Sequence, residues 1–225
     1  MAKSTPARTQ VTVAVDVMAV ATVAAGLVLL GLRVWHGSQS AAELVAVLAM
    51  VAAGYATADL LTGLVHWFCD TFFDETTPVI GPGLIAPFRE HHREPLLMIR
   101  HGFLELTGSS FRGLAPVLLT YLWRGSSLPP YIDAFVFALG SGAVVTNLLH
   151  RWAHEPAPPL VARWLHASGL VLTPRRHAKH HAPPYAAAYC VTSGWLNPAC
   201  ERLKIWTRAE AALVALGAPV SRDRE

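Results

Sequence analysis

Apolar residues along this chain gather in four runs separated by polar segments. The first, residues 11–32, has the ~20 residues that a helical bilayer crossing requires. Its flank, with Lys3 and Arg8, is positive and would also suit a signal peptide, but the run is too long for a signal core and Asp16 interrupts it. A retained helix is expected. The second run, residues 44–65, carries Asp59 seven positions before His66, which puts both on one helical face directed into the protein. The third, residues 114–123, is short and suits a tilted or re-entrant segment. The fourth, residues 132–149, is long enough to span, and a tight polar turn from Arg124 to Tyr131 joins it to the third. After His150 no run reaches spanning length; residues 206–216 suit an interfacial amphipathic helix and a core helix equally.

The basic residues orient these spans. With the N-terminus inside, 16 of the 18 lysines and arginines fall on the inner side, and only Arg33 and Arg124 fall outside. The expected fold is an all-α membrane protein of about four transmembrane helices with a histidine-rich cytosolic-face cap. In residue numbers, 1–10 form a cytosolic tail, 11–65 the first transmembrane pair and 66–110 a histidine-rich cytosolic segment. Residues 111–149 form the second pair, and 150–225 a cytosolic histidine-box segment with a C-terminal tail. Both termini are expected in the cytosol.

Composition agrees. The chain is 53% hydrophobic and 15% charged, below the ~25% charged share of soluble domains, so an ordinary cytosolic domain is excluded. A net charge of +3 without a basic block gives no sign of nucleic-acid binding. The three cysteines form no CxxC pair; Cys69, three residues past His66, reads as a small buried hydrophobe or as a soft metal ligand. What composition adds is 11 histidines. The membrane tolerates few ionisable side chains unless a site needs them, and ten of these eleven lie at or beyond the inner face, His36 being the exception.

Their spacing points to metal. His150 and His154 face one way on the continuation of the fourth helix, with Asn147 one turn earlier, until Pro156, Pro158 and Pro159 stop it. Thr173 and Pro174 are N-cap and first-turn residues for a short helix that presents His177, His180 and His181 together. His91 and His92 are adjacent and diverge by ~100° on a helix, so they reach two different metal ions, or one ion and one partner. His101 pairs with Glu105 at i, i+4, and His66 with Asp70, a natural acceptor for a ligating histidine's other N–H. Nine histidines (His66, His91, His92, His101, His150, His154, His177, His180 and His181) are too many for one ion and suit two. Imidazole accepts zinc, copper, iron and nickel alike, so the spacing names no metal. The chain has no HExxH, GxSxG, P-loop or GxGxxG pattern. Oxidation of a lipid chain by iron, hydrolysis by two zinc ions and metal transport or sensing remain open on these grounds.

Several of these motifs, in this order, resemble the plasmanylethanolamine desaturase and CarF family of histidine-box membrane lipid desaturases, which includes a plant plastid enzyme making trans-3-hexadecenoate. The resemblance is carried by Gly63 to Asp70, Pro87 to His92, Arg100 to Glu105, Asn147 to His154, Leu172 to His181 and Tyr189 to Pro198. It implies a di-iron oxidoreductase with O2 as co-substrate. Electrons would come from a separate cytochrome b5-like or ferredoxin-like carrier, this chain having no reductase domain or flavin motif of its own. The substrate would be a membrane phospholipid, desaturated at carbons 1 and 2 of an sn-1 O-alkyl chain to a vinyl ether, or at an acyl chain. The boxes carry over as His150/His154 and His177/His180/His181, with His66, His91, His92 and His101 as further ligands. Asp70 and Glu105 would orient ligands, and Asn147 would support them.

Overall fold

The computed structural model describes residues 9–124 and 128–221. Four long helices make its body: α1 (Gln10–Gly37), α2 (Ala41–Thr71), then, after a short α3 (Ala86–Arg93), α4 (Phe103–Arg124) and α5 (Pro130–His154). Smaller helices follow: α6 (Leu160–Ser168), α7 (Pro174–His177), α8 (Asn197–Arg202) and α9 (Ile205–Ala215). No strand occurs among the described residues beyond a single bridge between Phe72 and Val220. The expected N-terminal tail up to residue 8, part of the turn after Arg124 and the last four residues lie outside the described residues.

Each long helix starts where the local chemistry dictates. The Thr9 hydroxyl accepts from the Thr12 amide at the head of α1, and Ser40 and Glu43 form a reciprocal capping box at the head of α2. Pro130 opens α5, where its missing N–H costs nothing. α1, α2 and α5 are long and apolar enough to cross a membrane. The third run differs from expectation. It is part of a 22-residue helix, α4, which begins eleven residues before residue 114. Counting apolar residues shortens it because its first half carries polar groups that are satisfied inside the bundle. Thr107 bonds back to the Phe103 carbonyl, and the Arg112 guanidinium meets the fully buried Asp16 of α1. Gly108 leaves room for that carboxylate, since a Cβ there would lie 2.7 Å from its carbon. Asp16, an interruption in the sequence, is thus a helix-joining residue.

α2 runs along α5, and α1 packs on α4 and α5. The α2–α5 contact is close because it is built from small residues. A Cβ on Gly54 would stand 2.3 Å from the Phe135 carbonyl oxygen, and one on Gly142 would stand 2.6 Å from the Ala58 methyl. This approach matters for the site, since α2 ends with His66 and α5 ends with His150 and His154. α9 settles the two readings of residues 206–216 at one end: Trp206 is buried against Trp67 and Tyr189. Arg89 holds the closing segment by donating to the carbonyls of Phe73 and Ser221.

Candidate metal centre

Eight of the nine predicted histidines converge where α2, α3, α5 and the α7 turn meet. Two sets of ligand atoms have the mutual spacing of a metal site among the described residues: His91, His150, His154, His177 and His181, and His66, His91, His92 and His180. His91 belongs to both. The α7 turn forms as its sequence requires, with the Thr173 hydroxyl accepting from the Arg176 amide and Pro174 in the first turn. His177, His180 and His181 then project inward, while Arg175 and Lys179 stay exposed.

The first set closes around the His177 Nε2. That atom lies 2.8 Å from His150 Nε2, 2.7 Å from His154 Nε2 and 2.9 Å from His181 Nε2. One ring nitrogen offers either one N–H or one lone pair, so it cannot satisfy three partners by hydrogen bonding. A cation among the four nitrogens can. In the second set, His180 Nε2 is 2.9 Å from His92 Nε2, and the buried His91 Nε2 has no hydrogen-bond partner among the described residues.

Three rings are aimed from behind by backbone carbonyls. Nδ1 lies 3.2 Å from the Tyr189 oxygen in His66, 2.6 Å from the Phe88 oxygen in His91 and 2.9 Å from the Ala187 oxygen in His180. A carbonyl only accepts, so each Nδ1 carries the proton and each Nε2 presents its lone pair to the site. The electrostatics agree. Burial, with His92 next, pushes His91 well below the ordinary imidazole range, and burial, with His180 next, does the same to His177. Burial takes His92 down to about 2, His180 to about 3 and His181 to about 4. Neutral imidazoles are the ligand form, so the donor set fits two imidazole-bound metal ions.

The remaining predicted residues are placed differently. The Asp70 Oδ2 lies 3.2, 3.4 and 3.5 Å from the Nε2 atoms of His66, His92 and His180. It therefore faces the same nitrogens a metal would take. His101 belongs to neither set; its Nε2 is 3.8 Å from Glu105, whose carboxylate also accepts from the Gly102 amide. Asn147 donates to the Leu106 carbonyl and to Ser110, joining α5 to α4. Cys69 is buried; it, His36 and His166 belong to neither set. Sequence reasoning missed the carbonyls of Phe88, Ala187 and Tyr189. The Phe88 and Tyr189 segments stood out beforehand, through the resemblance of residues 87–92 and 189–198, but not for their carbonyls.

Comparison with known proteins follows the same segments. The family model described as a lipid desaturase domain matches residues 55–223. The chain is 36% identical over 170 residues to plasmanylethanolamine desaturase of Myxococcus xanthus, covering 71% of this chain and 60% of that protein. It is 37% identical over 179 residues to plasmanylethanolamine desaturase 1 of Mus musculus, covering 74% and 64%. Fatty acid desaturase 4 of Arabidopsis thaliana chloroplasts is 34% identical over 164 residues, covering 70% and 49%. The chain thus spans less than two thirds of the length of these relatives. No solved structure matches it.

Proposed function

We propose a function from one premise: this chain belongs to the lipid desaturase family. It acts as an O2-dependent membrane lipid desaturase, introducing the vinyl ether double bond into the sn-1 O-alkyl chain of a plasmanyl phospholipid. The observation that carries this reading is the pair of imidazole sets sharing His91 at the ends of apolar helices. Removing hydrogen from two unactivated carbons requires an oxidant that side chains alone cannot supply. Two irons bound here supply that oxidising chemistry. The balance is two hydrogens from the chain, two electrons and two protons against one O2 reduced to two waters. The electrons come from a separate carrier, cytochrome b5-like or ferredoxin-like.

The protein's own part is to hold and orient. His150, His154, His177 and His181 would hold one iron; His66, His92 and His180 would hold the other with Asp70 sharing its charge, and His91 lies between. The carbonyls behind His66, His91 and His180 keep their lone pairs inward. Glu105 and Asn147 act at a distance, by ordering the start of α4 and fixing α5 to it. The basic-residue distribution supports an orientation with the termini and the metal centre in the cytosol, α4 as a further span besides α1, α2 and α5, and segments 11–65 and 111–149 as the two transmembrane pairs.

The test is expression in a plasmalogen-free host supplied with alkyl ether lipid, followed by lipid analysis. An acid-labile vinyl ether is expected. A new acyl double bond instead would select the fatty-acyl reading, for which the likeness to fatty acid desaturase 4 speaks. Neither product, with zinc in the purified protein, would overturn both.

A further inference from the structure

Residues 187–197 cross the inner half of α2 as an irregular strap, yet Ala188, Tyr189, Cys190, Val191, Thr192 and Ser193 are all buried. Irregular backbone is rarely buried, because every peptide group in it needs a partner. Here one carboxylate takes four of the strap's amides. Asp59, buried in α2, accepts at Oδ1 from the amides of Thr192 (3.0 Å), Ser193 (2.7 Å) and Gly194 (3.0 Å). Its Oδ2 accepts from the Ser193 hydroxyl at 3.0 Å and the Leu196 amide at 3.4 Å. Asn197 closes the strap on itself, accepting from the Cys190 amide and donating to the Cys190 carbonyl, both at 2.9 Å. Gly63, one turn after Asp59, lets the strap lie directly on α2. A Cβ there would come within 2.8 Å of the Cys190 sulfur and 3.0 Å of its Cα.

The strap's far end is what touches the metal centre. Its Tyr189 carbonyl faces His66 Nδ1 and its Ala187 carbonyl faces His180 Nδ1. These two histidines belong to the set with His91 and His92 and not to the set around His177. No side chain of the strap enters either set. We propose that Asp59 is a positioning residue for this one metal site. By fixing the strap to α2 it sets where the Tyr189 and Ala187 carbonyls stand, and so holds the proton on Nδ1 and the lone pair on Nε2 of His66 and His180. The inference rests on the two-iron reading above, and it adds a residue two helical turns from His66 that touches no ligand.

It predicts a selective lesion, because the strap's carbonyls back only His66 and His180, and none of them faces a ring nitrogen of His150, His154, His177 or His181. The chain and its variants are purified in detergent and loaded with ferrous iron. Iron per chain and Mössbauer spectra are then measured, with far-UV circular dichroism as the check on folding. The wild type is expected to hold two irons, one per set. Asp59→Ala should keep its helix content and fall to roughly one iron, losing one spectral component. Asp59→Asn, which keeps an oxygen for the three Oδ1 amides, should lie between. Gly63→Ala displaces the strap without touching Asp59 and should lose the same component; it carries the test with Asp59→Asn if Asp59→Ala does not fold. Two irons with both components retained in Asp59→Ala and Gly63→Ala would overturn the proposal. So would equal loss of both components in a well-folded Gly63→Ala protein. A wild type that binds no iron would instead overturn the metal reading on which the inference stands.

Discussion

The Nε2 atoms of His66, His91 and His180 are held lone-pair-first by carbonyls that cannot donate, and burial of the centre's imidazoles sets how the protein responds to acid. Burial depresses the imidazoles of His181, His180 and His92 to about 4, 3 and 2, against an ordinary value of 6.5. Between pH 6.5 and 4 the unfolded chain therefore binds protons that the folded, metal-free chain refuses. The side that binds more protons gains as pH falls. The stability these residues contribute is complete above pH 6.5 and is lost progressively on acidification toward 4 and below. Iron-free protein in detergent should show a thermal midpoint that falls between pH 7.5 and 5, and an unchanged midpoint would contradict the burial of neutral imidazoles. The residue types behind this were legible in the sequence, down to the spacing of His177, His180 and His181. That His101 falls outside both sets was not, because an i, i+4 pair with Glu105 looks the same in a metal box and at an ordinary helix start. Nor was the side on which Asp70 acts, since spacing brings it near His66 without choosing which nitrogen it meets.

At the scale of elements, the centre depends on how closely α2 and α5 approach, because one ends in His66 and the other in His150 and His154. Gly54 makes that approach, with the Phe135 backbone where its Cβ would be. A backbone atom cannot rotate away as a side-chain end can, so the helices themselves must part. Gly54→Ala should destabilise the protein by about 1–3 kcal/mol, the usual range for overpacking. The check is a lower thermal midpoint in detergent together with less bound iron. A variant with wild-type values for both would show that the crossing has slack. The spans of α1, α2 and α5 were readable from apolar run length, but α4 was half hidden. Its polar first half is paired with α1 through Asp16 and Arg112, and pairing is a property of two helices that neither run shows alone. α6 and α8 gave no sequence expectation, being too short for their patterns to stand out.

For the whole molecule, the sidedness of the centre proposed from the basic residues can be read chemically. Cys69, Cys190 and Cys200 are all buried, so cysteines introduced at exposed Gln39, Leu128 or Lys179 can be probed with an impermeant maleimide on intact cells. Gln39→Cys and Leu128→Cys should label from outside, and Lys179→Cys only after permeabilisation. Labelling of Leu128→Cys from the same side as Lys179→Cys would show that α5 does not cross, nor α4 with it, because the centre joins His91 before α4 to His177 after α5; the spans would then be two. The reverse pattern throughout would invert the topology.

Run length and the spacing of histidines determined, from the sequence alone, a helical membrane protein with an imidazole-rich centre. Those features are legible because the cost of polar groups in lipid and the 3.6-residue helical period act locally along the chain. Only the tertiary structure decided that eight histidines form two sets joined at His91, and that Asp70 faces their ligating nitrogens. It also decided that a buried strap pinned by Asp59 aims two of the rings. The physical reason is that the aiming groups are backbone carbonyls, which every residue has and no residue type marks. Their role exists only once the chain has folded them against a particular imidazole.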